Sequence, residues 1–108
     1  MVLDFRPLFA AMVTEVMAGA GRETLARRFH DTLAQATAAV CAQIGAVCHV
    51  RRVVLSGGVF QNRLLAEGVH AELSRRGFTV FSHRLVPPND GGLALGQAVI
   101  TGRSQVCV

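Results

Sequence analysis

The sequence has 108 residues and contains no tryptophan, no tyrosine and no lysine. Six phenylalanines are its only benzenoid side chains, which argues against modules that stack nucleobases on exposed rings. No nucleic-acid partner is expected. Without lysine there can be no P-loop lysine, no Schiff base and no kinase-type phosphate lysine. Cysteine is scarce: Cys41, Cys48 and Cys107 have no metal-ligand spacing. On one helix, Cys41 and Cys48 would lie roughly 10 Å apart along the axis, too far for a disulfide. Free thiols point to the cytoplasm. No apolar run is long enough to span a membrane. The N-terminal RPLFAAMVTEVMAGAG ends in small residues as a signal peptide does, but Asp4 precedes its apolar part and Glu15 interrupts it.

What is present suits one small domain. The chain is 51% apolar, enough to build a core. All eleven basic residues are arginine, and the formal net charge is +4. The pairs at 27–28, 51–52 and 75–76 suit solvated helix faces and ends. A positive balance favours anionic ligands.

Periodicity predicts a strand–helix–strand unit flanked by helices. Pro7 suits the first turn of a helix carrying Leu8, Met12, Val13 and Val16. Gly19 and Gly21 end it. A long second helix opens at Arg22 or Thr24, with Leu25, Phe29, Leu33, Ala36, Val40, Ile44 and Val47 as its apolar stripe. Arg52 to Leu55 reads as a strand covered on both faces. A third helix runs from Phe60 or Asn62 to Arg76, with Leu64, Leu65, Val69 and Leu73 inward and Gly77 as C-terminal cap. Phe78 to Phe81 is the second strand, parallel to the first. After Pro87-Pro88, a last helix spans about Leu93 to Thr101.

Each strand leads to a glycine pair: Ser56-Gly57-Gly58 after the first, Asn89-Asp90-Gly91-Gly92 after the second. Ligands of open α/β sheets bind beyond the carboxyl ends of the strands. Glycine lets a phosphate approach the backbone without a Cβ in the way. Asn62 could cap a helix or bond a ribose or base. Asp90 is by default a helix N-cap, and near phosphate it would need a divalent metal to remove the repulsion. Ser56 has no base beside it in sequence and reads as turn chemistry rather than a nucleophile. His30 suits a core or interface role. His49, His70 and His83 form no ligand pair.

Taken together, LSGGVFQNRLL, GFTVFSHRLVPPNDGGLALGQA and RRFHDTLAQA closely resemble the C-terminal end of the HypF-type carbamoyltransferases of nickel–iron hydrogenase maturation. More distantly they resemble the carbamoyltransferases of nodulation-factor and antibiotic synthesis, and the TsaD family that makes threonylcarbamoyladenosine in tRNA. The similarity runs from LDFRPLFAAM to GQAVITG. It implies an α/β fold: a partial lobe of the actin, sugar-kinase and heat-shock ATPase type, with parallel strands covered by helices. Residues 1–108 would be one domain, the second half of a TsaD-like carbamoyltransferase domain.

The resemblance also implies a chemistry. HypF-type proteins use carbamoyl phosphate and ATP to make carbamoyl adenylate, then pass the carbamoyl group to the C-terminal cysteine of a HypE partner. By this likeness Gly57 and Gly58 approach the nucleotide phosphates, with Ser56 and Gly91 in the same nucleotide-binding set. Asn62 falls on the nucleoside side. Asp90 matches an aspartate that helps hold a divalent metal, whether magnesium, iron or zinc. No catalytic residue is assigned. The acylphosphatase-like, zinc-finger and YrdC-like regions of such proteins, their first lobe and their paired metal-binding histidines have no counterpart here, so the chain is expected to be inactive alone and to form a homodimer. Two rival readings are an O-carbamoyltransferase fragment of the nodulation or antibiotic type, and a non-catalytic oligomeric α/β fragment.

Overall fold

The computed structural model describes residues 1–104; Cys107 lies outside them. Four helices and two strands follow in the order α1 (Arg6–Met17), α2 (Arg22–Cys48), β1 (Arg52–Leu55), α3 (Arg63–Arg75), β2 (Thr79–Ser82) and α4 (Leu93–Ser104). Single 3-10 turns at Gly58–Gln61 and Asp90–Gly92 precede α3 and α4. The strands pair in parallel, from Arg52 opposite Thr79 to Leu55 opposite Ser82. The chain is therefore mixed α/β, with α3 as the crossover between parallel strands. No helix among the described residues is long and apolar enough to cross a membrane.

The core is where α2, α3 and the sheet meet. Ala34 and Ala38 of α2, Leu65, Val69 and Leu73 of α3, Leu55 of β1 and Phe78 form one buried cluster. Val53 and Val80 pack against it. In a strand, alternate residues share a face, so Val53, Leu55 and Val80 mark the covered side. The opposite side is open: Val54 is 67% exposed and its cross-strand partner Phe81 is 49% exposed. The expectation that the strands are covered on both faces is thus corrected, because the core draws its strand residues from one side of the sheet.

The long helix also differs from its expected stripe. Its buried positions are Leu25, Ala34, Ala38 and Gly45, whereas Ile44 and Val47 are exposed. Small residues win because the backbones come close. A Cβ on Gly45 would lie 2.8 Å from the Val50 carbonyl oxygen and 3.0 Å from the Phe78 ring. A Cβ on Gly68 of α3 would meet that of Ala34 at 3.4 Å.

Elsewhere the corrections are smaller. Phe78 is a buried core residue, and β2 begins one residue later, at Thr79. Leu64, expected inward, is exposed. Gly77 does end α3, with φ +83°, a conformation that disfavours side chains. Cys41 and Cys48 are free thiols on α2.

The terminal helices add little burial. α1 has no buried residue, and residues 93–103 of α4 are all exposed. An ion pair between Glu15 and Arg28 ties α1 to α2. At the start of α1, side-chain and backbone hydrogen bonds from Arg6 hold the Asp4 carboxyl below its ordinary range. The molecule measures 64 × 32 × 23 Å, and its radius of gyration is 17.6 Å. A compact chain of this length would have about 13 Å.

Candidate functional site

The parallel register sets the geometry of the candidate site. Because Leu55 and Ser82 are the last paired residues, both glycine-containing loops leave the sheet at its carboxyl edge. They touch there. The Gly57 N–H donates to the Pro88 carbonyl at 2.7 Å. Gly57 has φ +109° and ψ 153°, a region essentially confined to glycine. Gly58 is different. A Cβ there would meet nothing closer than Asn89 Cβ at 3.9 Å, so space for a ligand remains beside its backbone. The Gly57 amide, however, is already engaged by Pro88.

In the second loop, Asn89 rather than Asp90 makes the cap. Its Oδ1 accepts from the Gly91 N–H at 3.0 Å, and its carbonyl accepts from the Gly92 N–H at 3.0 Å. The 3-10 turn over Asp90–Gly92 moves the capping position one residue upstream of the expected Asp90. Asp90 is consequently exposed, and its carboxylate has no hydrogen bond or ion pair among the described residues. It can offer oxygen to a cation. It cannot form a metal site alone, and no cluster of three or more His, Cys, Asp or Glu residues suited to a metal exists among the described residues.

Asn62 caps α3 by accepting from the Leu65 N–H at 3.2 Å. Its amide nitrogen lies 2.8 Å from His30 Nε2, and His30 Nδ1 lies 2.7 Å from the Ala26 carbonyl oxygen. One tautomer satisfies both contacts: Nδ1–H donates to Ala26, and Nε2 accepts from Asn62. His30 is therefore an interface histidine between α2 and the start of α3. The Asn62 amide retains one further N–H for a ligand.

Sequence reasoning missed His83. Its Nε2 lies 2.9 Å from Ser56 Oγ, giving Ser56 a basic neighbour across the strand pair. The signal was present in the register, since residues 56 and 83 each follow the last pair of their strands. His83 also lines a cavity of about 300 Å³ with Leu55, Phe60, His70, Ser82 and Pro88. The site residues thus converge in part. Ser56, Gly57, Gly58, Asp90 and Gly91 lie on two touching loops, while Asn62 is turned into the α2–α3 junction.

Comparison with known proteins identifies relatives of this chain. Residues 1–97 match the family described as carbamoyltransferase, Kae1-like domain, second subdomain. Carbamoyltransferase HypF2 of Cupriavidus necator is 44% identical over 95 residues, which cover 88% of this chain and 11% of that protein. Carbamoyltransferase HypF of Synechocystis is 33% identical over 109 residues, covering 99% of this chain and 13% of that one. A crystal structure of full-length HypF in its phosphate- and nucleotide-bound form superposes with a TM-score of 0.82 at 39% identity, covering 86% of this chain and 12% of the other. The chain thus spans only 11–13% of these HypF relatives, and the part it matches is their C-terminal carbamoyltransferase subdomain, so the chain belongs to the HypF carbamoyltransferase family.

Proposed function

We propose that this chain is the nucleotide-binding segment of a HypF-type carbamoyltransferase. In that reading the complete protein uses carbamoyl phosphate and ATP to form carbamoyl adenylate, and delivers the carbamoyl group to the C-terminal cysteine of a HypE-like acceptor. The observation that carries the proposal is the contact between the loops: the Gly57 amide on the Pro88 carbonyl, with open space beside Gly58. It leaves open space beside Gly58 on the loop that touches the one carrying the free Asp90 carboxylate, at the carboxyl edge of a parallel strand pair. The nucleotide-bound state of the full-length HypF relative agrees with it.

Within this proposal, Ser56, Gly58 and Gly91 border the phosphates, and Gly57 shapes the turn. Asn62 uses its remaining N–H on the nucleoside. Asp90 supplies one oxygen to a divalent metal whose other ligands come from elsewhere in the complete protein. The rest of an actin-like lobe would cover the open sheet face at Val54 and Phe81, which otherwise leaves apolar surface in water. A cytoplasmic setting suits the free thiols of Cys41 and Cys48.

The test is calorimetry with ATP and magnesium on this chain, alone and together with the remaining part of a HypF-type protein. Gly58→Val should weaken binding at least about tenfold, close to 1.4 kcal/mol, while the circular dichroism spectrum stays unchanged. Equal affinity in the folded variant would remove the phosphate role of this turn.

A further inference from the structure

We propose that His83 is a positioning residue for phosphate: its imidazole fixes the Ser56 hydroxyl so that Ser56 donates a hydrogen bond to a phosphoryl oxygen of the nucleotide. The proposal rests on the nucleotide-binding reading above and adds a residue to it.

The chain of causes starts with the register. Parallel pairing of Leu55 with Ser82 delivers the next residue of each strand to the same edge, and His83 Nε2 meets Ser56 Oγ at 2.9 Å. A serine hydroxyl has one hydrogen, two lone pairs and a free rotor. If Nε2 carries the imidazole hydrogen, it donates to Oγ and takes up one lone pair. The Ser56 hydrogen then stays available. If Nε2 is unprotonated, it takes that hydrogen instead. A phosphoryl oxygen accepts and cannot donate, so a bound phosphate selects the first arrangement.

The turn has need of such a donor. The Gly57 N–H, which a phosphate loop would ordinarily present, is spent on Pro88. The Ser56 hydroxyl lies immediately before it and is exposed. A purely structural role fits the pair less well. Both side chains are exposed, where a neutral hydrogen bond adds little to stability. His83 also lines the cavity with Phe60 and Pro88.

The experiment titrates the chain, together with the remaining part of a HypF-type protein, with magnesium ATP and, separately, with adenosine, for wild type, Ser56→Ala, His83→Ala, the double variant and His83→Gln. Removing either partner should weaken ATP binding about tenfold, as for one hydrogen bond to a charged group. The double variant should lose no more than either single one, because the two residues act as a unit. Adenosine affinity should change less than about twofold, since adenosine has no phosphate to accept the bond. Glutamine keeps an N–H donor in place of Nε2 and should recover most of the loss.

Wild-type ATP affinity in His83→Ala overturns the proposal, and so does an equal loss for ATP and adenosine. If Gly58→Val abolishes binding while His83→Ala leaves it intact, only the role of His83 falls. If the wild-type chain binds neither ligand even together with the remaining part of a HypF-type protein, the nucleotide reading falls and takes this proposal with it.

Discussion

The middle of the chain and its two ends use apolar residues to opposite effect. From α2 to β2, apolar side chains close a core in which Ala38 and Leu73 have no solvent exposure. In α1 and α4, apolar side chains of similar size face water: Val16 is 58% exposed and Val99 53%. A helical repeat of apolar residues therefore states that a face is to be covered, and does not state by what. The relatives are about eight times longer than this chain, since the match covers only 11–13% of them. The faces of α1 and α4 are what we expect the rest of a HypF-type protein to cover.

The strongest way to break this comparison is truncation on both sides of it. Leu73→Ala should cost about 2–5 kcal/mol, the range for emptying a fully buried leucine site. Val16→Ala and Val99→Ala should each stay within about 0.5 kcal/mol, as exposed substitutions do. Urea denaturation followed by circular dichroism compares the three. A cost at Val16 approaching that at Leu73 would mean that α1 is part of the same cooperative core.

Gly45→Ala sharpens the description of the middle. Alanine is the better helix former by about 1 kcal/mol, so a free helix would gain stability. Here the added Cβ would lie 2.8 Å from a backbone oxygen and 3.0 Å from Phe78. Overpacking of this kind costs about 1–3 kcal/mol. The expected result is a net loss of about 1 kcal/mol in the same denaturation experiment. A gain would show that α2 can move away from Val50 at little cost.

The smallest expected effect concerns the ends. Apolar helix faces and an open sheet side favour self-association, and we expect a dimer at high concentration. Exchanging Val16 and Leu95 for glutamate should weaken that dimer about threefold, or ~0.65 kcal/mol, by sedimentation over a concentration series. A wild-type chain that stays monomeric throughout would show that these faces tolerate water.

The same contrast explains which features the sequence disclosed. The glycine loops were legible because turn chemistry is local: Gly57 needs its positive φ whatever surrounds it. Gly77 was legible for the same reason. The buried face of α2 was not, because hydropathy gives weight to large side chains such as Ile44 and Val47. Close backbone approach instead selects Ala34, Ala38 and Gly45. The cap of the second loop was misassigned by one residue, since Asn89 and Asp90 have equivalent capping chemistry and only the 3-10 turn distinguishes them. The Ser56–His83 contact required the strand register, a tertiary fact that no local pattern encodes.

The bond from the Gly57 amide to the Pro88 carbonyl has a thermodynamic consequence. It makes the two loops mechanically dependent, because neither can shift far without stretching or breaking it. In the proposed reading, a ligand that favours one arrangement of Ser56–Gly58 would bias the segment that carries Asp90, and a cation on Asp90 would bias the first loop in return. Such linkage is reciprocal: each occupant changes the affinity for the other by the same factor. One backbone hydrogen bond would thus let a cation and a phosphate-bearing molecule sense one another without touching.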